Sequence, residues 1–263
     1  NSFLLLIFLL AGCQGESASP NVIEEQTSKE KPLRENIFTA DEQKALTPDQ
    51  VLESLKKGNE SFTGDGLTLR DHSAMVRKAA SGQYPKAVIL SCLDSRIPVE
   101  DIFDKGIGDL FVARVAGNLV NEDILGSMEF GCKVAGAKLI LVMGHNECGA
   151  IKAGIDNVQL GNITSLVNKI RPAVDSSSNF NGDKVTKNNE YVDNVAQNNV
   201  RLNMSLIKSK SDILREMVEK GEIKIDPRPR NLEAVIDEVT IDFHLGKHLK
   251  VFKKQGWETI DTM

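Results

Sequence analysis

Aromatic residues are scarce in this chain: ten Phe, two Tyr and one Trp make up 5% of its 263 residues. No basic run alternates with them, and the formal net charge is −5. Nucleic acid or an acidic surface is therefore disfavoured as the main partner. No internal repeat stands out. Long hydrophobic runs are lacking too, because Phe3 to Leu10, uninterrupted as it is, is too short to span a bilayer as a helix. Cysteine is limited to four residues, Cys13, Cys92, Cys132 and Cys148. What remains is the composition of a globular protein, with one domain of about 200 residues plus appendages as the prior.

The apolar run Phe3 to Leu10 has the length of a signal-peptide h-region. The chain starts at Asn1 rather than Met, and no basic segment precedes the run, so a few upstream residues are expected. Leu10-Ala11-Gly12-Cys13 resembles a bacterial lipobox, in which the Cys is lipidated and becomes the mature N-terminus. An ordinary signal peptide with a stray Cys is the plainer alternative. Gln14 stands where Asp would favour inner-membrane retention, and so leans towards the outer membrane. The expectation is an exported protein, periplasmic or at the cell surface, touching the membrane only through a lipid anchor at Cys13. Residues 14–44 are polar and poor in large apolar groups, and read as a flexible tether spanning about 30 Å on average. Residues 45–263 then form the folded domain.

Thr47-Pro48-Asp49-Gln50 has the pattern of a capping box with Pro at the first helical position, followed by a helical stripe of Val51, Leu52 and Leu55. Lys86 to Ser91, Leu110 to Val115 and Leu139 to Gly144 are short apolar runs without alternation and read as buried strands. Between the last two, Asn121 to Gly136 reads as a capped helix carrying Ile124, Leu125, Met128 and Val134. Strands separated by helices imply an α/β fold, with a mostly parallel central sheet flanked by helices. Residues 172 to 190 read as a polar loop. A helix over Val192 to Ile207 follows, then a shorter one capped by Ser211 and ending at Gly221, then a strand at Ile223–Ile225.

Two motifs carry chemistry, and both fall at the carboxyl ends of strands, where open α/β sheets bind ligands. The first is Ser91-Cys92-Leu93-Asp94-Ser95-Arg96; the second is His145-Asn146-Glu147-Cys148-Gly149. Two thiolates and one imidazole form the ligand set that zinc prefers, and three protein ligands leave a fourth tetrahedral position for water. His145 and Cys148 sit at a strand-to-helix junction, where a thiol pKa is lowered, and Gly144 and Gly149 allow close backbone approach. Asp94 beside Arg96 stays ionised and is fixed in direction by a bidentate contact. An oxidising compartment also permits a Cys92–Cys148 disulfide as the rival reading. Cys132 reads as a small buried apolar residue.

Cys92-x-Asp94-Ser95-Arg96 with His145-x-x-Cys148 resembles the β-class carbonic anhydrases. So do Gln83-Tyr84-Pro85-Lys86, the stretch Gly106 to Arg114, and Ala116-Gly117-Asn118. The likeness runs from about residue 45 to about residue 225. It implies one zinc per chain on Cys92, His145 and Cys148, and attack of zinc hydroxide on carbon dioxide to give bicarbonate. It makes Asp94 and Arg96 an orienting pair, with Asp94 able to take the fourth ligand position in a closed state. It implies that Gln83 and Gly149 contact substrate, and that the chain forms a homodimer or higher homo-oligomer, with Gln83 acting across the interface.

The chain also departs from the pattern. Ile89 stands where a Trp forms an inhibitory bicarbonate site in some members, and the single Trp is Trp257. Phe130 replaces a pocket-wall aromatic that is often Tyr. Asp226 to Arg230 replaces the usual last-strand pattern. His72, His244 and His248 could shuttle protons, against the plainer reading of ordinary surface or core histidines. Two rival functions remain. One is hydrolysis of carbonyl sulfide or carbon disulfide on the same site. The other is a non-catalytic, zinc-stabilised binding protein.

Overall fold

The structure, a computed structural model, describes residues 34–225. Among them are four strands: β1 (Ala87–Ser91), β2 (Leu110–Arg114), β3 (Leu139–Val142) and β4 (Lys224–Ile225). They form one sheet in the order β2-β1-β3-β4, with every pairing parallel. The chain steps from β1 to β2 on one side and then crosses to β3 on the other, so the topology reverses at β1.

Strand residues alternate between two apolar layers, as the pleat requires. Val88, Leu90, Ile140 and Val142 face a core shared with α5 (Glu122–Glu129), α8 (Asn189–Lys210) and α9 (Asp212–Glu219). Ala87, Ile89, Leu139 and Leu141 face a second core, filled by Val51 and Leu55 of α2 (Pro48–Thr63) and by Ile102 and Phe103 at α4 (Val99–Ile102). Each fully buried aliphatic side chain contributes about 1.5–3 kcal/mol. Burial on both faces is why these strands read as continuous apolar runs.

The predicted helix start at Thr47 is present as a full capping box with Gln50. Asn121 caps α5 through Ile124 N–H. Ser211 caps α9, and Gly221 follows it at φ +69°. Among the described residues, no helix is long and apolar enough to cross a membrane.

Three expectations need correction. The domain reaches back into the supposed tether. Residues Ala40–Ala45 form α1, capped by Thr39 and Glu42. Arg34 grips the buried Asp109 with both terminal nitrogens, at 2.8 and 2.9 Å, and Gln43 donates to the Pro85 and Ala135 carbonyls at 2.7 and 2.8 Å. Polar residues here are fastening groups, so polarity alone misled. Next, the helix after Asn121 changes pitch. Phe130–Val134 is a π-helical turn closed by Ala135 N–H to the Phe130 carbonyl at 2.9 Å. The extra residue per turn rotates Val134 outward to 71% exposure, off the buried stripe predicted for it. Finally, the stretch expected as loop from residue 172 is helical to Ser176. It ends α7 (Gly161–Ser176), which contains Pro172. Burial of Val167, Ile170 and Ala173 outweighs the roughly 3 kcal/mol that an internal Pro costs. The remaining described helices are α3 (His72–Ala79) and α6 (Gly149–Ile155).

Candidate metal centre

β1 and β3 are hydrogen-bonded neighbours with Leu90 opposite Val142, so the residues leaving their carboxyl ends emerge side by side. Cys92 lies just past β1, and His145 lies three residues past β3. The chain then reverses through Glu147, held at φ +57°, and places Cys148 at the N-cap of α6. Glu147 pairs with Lys152 one turn into that helix. Gly144 makes the turn possible: a Cβ there would lie 3.0 Å from Val200 Cγ2 and 3.9 Å from the Ala196 carbonyl oxygen, both on α8. Gly149 differs from expectation, because a Cβ there would meet nothing within 4 Å.

The predicted ligand set converges. One donor atom from each of Cys92, His145 and Cys148 lies within 4.8 Å of the others, and all three residues are buried. The two sulfurs are 3.8 Å apart, far beyond the disulfide length of about 2.05 Å, and both thiols are free. Two sulfurs each about 2.3 Å from a tetrahedral zinc would lie about 3.8 Å from one another. His145 Nδ1 meets the Asn146 carbonyl oxygen at 2.9 Å, which fixes that nitrogen as the N–H and leaves the Nε2 lone pair free. Nε2 is buried and has no hydrogen-bond partner. An orphaned imidazole nitrogen beside two inward-facing thiols fits a soft divalent cation, zinc above all.

The two sulfurs are hydrogen-bonded to one another. That bond draws the Cys92 thiol down. The same bond, together with burial, pushes Cys148 up. Cys132, with burial alone acting on it, is pushed up to about 12, as suits an apolar core residue.

Asp94 lies at the rim. Its Oδ1 accepts from the Arg96 backbone N–H and from Nε, both at 2.9 Å, and its Oδ2 accepts from Nη2 at 2.8 Å. The Arg96 fork holds the carboxyl down at about 2. Oδ2 lies 3.9 Å from His145 Nε2. Asp94 is thus held by Arg96 and is not a member of the ligand cluster.

Other candidates fall elsewhere. Gln83 is exposed and precedes β1, at the end of the strand opposite Cys92. Phe130 is on the surface, 51% exposed, and packs on Phe111 rather than lining the centre. His72 is exposed at the start of α3. Cys13, His244, His248, Trp257 and the Asp226–Arg230 segment lie outside the described residues.

Two positions that sequence reasoning left without a role touch the site. Arg114, at the end of β2, donates from Nε to the Cys92 carbonyl at 3.0 Å and from Nη2 to the Asp94 carbonyl, clamping the first motif's backbone. Gly117 N–H donates to Cys92 Sγ at 3.4 Å. The signal for Arg114 was its place in the register opposite Ser91.

The carbonic anhydrase family profile matches residues 87–228. Carbonic anhydrase 2 of Mycobacterium tuberculosis is 32% identical over 185 residues, which span 68% of this chain and 86% of that protein. The chain belongs to the carbonic anhydrase family. A carbonic anhydrase of Mycolicibacterium smegmatis is 36% identical over 134 residues, 48% of this chain and 65% of that protein. Among solved structures, the Coccomyxa β-carbonic anhydrase bound to acetazolamide superposes with a TM-score of 0.51 at 25% identity, over 65% of this chain and 76% of that one. The parallel four-stranded sheet flanked by helices is the β-class architecture.

Proposed function

We infer that this chain catalyses the reversible hydration of carbon dioxide to bicarbonate and a proton. The observation that carries the inference is the buried convergence of Cys92, His145 and Cys148 beside a carboxylate locked by Arg96. A purely structural zinc site has no use for that locked carboxylate.

Cys92, Cys148 and His145 Nε2 would hold the zinc ion. When bound, zinc supplies the Lewis acidity that lets water act as a nucleophile near neutral pH. Asp94, ionised at any working pH, accepts a hydrogen bond from the attacking water at Oδ2 and so turns an oxygen lone pair towards the carbon of carbon dioxide. Arg96 keeps that carboxylate from swinging inward. Arg114 fixes the backbone from which both Cys92 and Asp94 project. Gly149, at the first turn of α6, offers its N–H to the product oxygens.

The assembly we propose is a homo-oligomer, with Gln83 reaching a neighbour's centre. Its support is the placement of Gln83 at the far end of β1 and the exposed apolar surface at Phe130 and Val134. A β-carbonic anhydrase of Sordaria macrospora, 20% identical with a TM-score of 0.50, is described as tetrameric. Export with a lipid at Cys13 and a tether before the domain complete the proposal, and rest on sequence pattern alone.

Stopped-flow hydration of carbon dioxide, with and without a chelator, tests the activity. Chelator-sensitive turnover supports it. Zinc-loaded protein that is inert towards carbon dioxide but hydrolyses carbonyl sulfide or carbon disulfide in parallel assays would replace the substrate. Unchanged labelling by a radioactive fatty acid in Cys13→Ala would remove the anchor.

A further inference from the structure

Helix α8 buries two carboxamides in an otherwise apolar face. Asn199 and Asn203, one turn apart, are 0% and 1% exposed, among Val192, Val195, Val200 and Ile207. Asn is a poor helix former, and burying an amide costs free energy unless its hydrogen bonds are made. Here each amide is paired. Asn199 Nδ2 donates to the Gly117 carbonyl at 2.8 Å. Asn203 Oδ1 accepts from Val120 N–H at 2.8 Å. Asn203 Nδ2 donates to the Asn199 carbonyl at 2.8 Å and to its Oδ1 at 3.2 Å.

The ladder therefore grips one loop at two points, Gly117 and Val120. That loop is backbone in an unusual conformation: Gly117 is at φ +75° and Asn118 at φ +42°. An Asn held left-handed needs surroundings that enforce it. The consequence of the conformation is the direction of one amide. Gly117 accepts from Asn199 through its carbonyl and donates through its N–H to Cys92 Sγ.

We propose that Asn199, backed by Asn203, is a positioning residue of the metal centre, holding Gly117 so that its N–H draws charge from the Cys92 sulfur. Such a bond lowers the electron density the sulfur passes to a metal, and partners of this kind tune affinity and reactivity as the ligands themselves do. The proposal rests on Cys92 being a metal ligand.

Cadmium-113 loading of the full chain provides the test. In the wild type, the Gly117 amide proton shows a scalar coupling to cadmium through the sulfur, and a thiolate-to-cadmium charge-transfer band is present. Asn199→Leu keeps the volume and removes the donor. It is expected to abolish the coupling and to move the band to longer wavelength, because the sulfur lone pairs rise in energy once the Gly117 N–H no longer draws on them. Asn203→Leu moves each in the same direction. Ile207→Val, on the same helix but with no hydrogen bond to the loop, leaves coupling and band in place. A residue of merely structural importance would alter stability and not the band. A folded wild type without the Gly117–cadmium coupling overturns the proposal with no variant needed, and so does an unmoved band in Asn199→Leu. Loss of the metal-site reading looks different: the wild type shows no thiolate-to-cadmium band, or Cys92→Ser keeps it at full strength.

Discussion

Gly144→Ala is expected to disturb the metal centre through α8 rather than through the ligands. The added methyl would lie 3.0 Å from Val200 Cγ2, against an optimal carbon–carbon separation of about 3.5–4.0 Å. One of the two must give by a few tenths of an ångström, and neither can yield easily. Gly144 continues β3 into His145, and Val200 is fully buried in a helix of 22 residues. Overpacking of this size costs about 1–3 kcal/mol. Because His145 is the next residue, zinc affinity should fall as well, by about 10-fold. Val200→Ala alone deletes two buried methyls, at about 2 kcal/mol. Combined, the new methyl occupies room the lost ones vacated, so the double variant should be less destabilised than the sum by at least about 1 kcal/mol. Urea unfolding in the presence of chelator isolates the packing effect from metal linkage. Chelator competition then reports zinc affinity, which should recover in the double variant. Additivity of the two changes to within about 0.5 kcal/mol, or a neutral Gly144→Ala, would rule out a steric coupling between Gly144 and Val200.

Other perturbations have outcomes set by the geometry. Asp94→Asn should keep full zinc content and lose about 10²–10⁴ in kcat; a wild-type rate would remove Asp94 from the mechanism. Arg96→Lys keeps the charge and loses the fork, so kcat should fall while the Asp94 carboxylate remains ionised above pH 5, as carbon-13 NMR of labelled Asp can show. Gln83→Ala and Cys148→Ser should each be poorly active alone. Mixed and reassembled they should regain activity, because one kind of interface then combines an intact metal centre with an intact Gln83; no recovery would place Gln83 outside the partner's site. Arg34→Ala leaves the buried Asp109 with Lys86 at 3.2 Å and the Gly106 N–H, and should cost about 3 kcal/mol. Burial alone would push the Asp109 carboxyl up, but the Arg34 bonds and the Lys86 charge outweigh it and hold it below its ordinary value. Its stabilisation is thus present above a pH of about 3.9 and is lost as pH falls through the lower folded value. The variant should therefore begin acid unfolding at higher pH than the wild type, as circular dichroism would follow.

The parts of this fold written in local pattern were legible beforehand. Ala87–Ser91 and Leu139–Val142 are apolar without alternation because both faces of the sheet are covered, and the caps at Thr47, Asn121 and Ser211 use hydroxyls or amides in their ordinary local role. The ligand set was legible because Cys92, His145 and Cys148 sit at strand ends, where parallel topology brings distant segments together. What escaped depends on contacts between segments far apart in sequence. Arg34 looks like tether until Asp109 is beside it. Val134 looks like core until a π turn shifts its angle. Pro172 looks like a helix stop until the Val167–Ile170–Ala173 stripe is seen to be buried. Asn199 and Asn203 were hidden for the same reason: on a helical wheel they interrupt an apolar stripe, and only the Gly117 loop across from them gives them work.

The most direct test of the central claim is X-ray absorption at the zinc edge of the purified protein, read together with its metal content. The account predicts one zinc per chain with two sulfur neighbours at about 2.3 Å and the remaining neighbours nitrogen or oxygen at about 2.0–2.1 Å, with one sulfur lost in Cys148→Ser. A zinc shell without sulfur, or fully active protein that holds no metal, would contradict it.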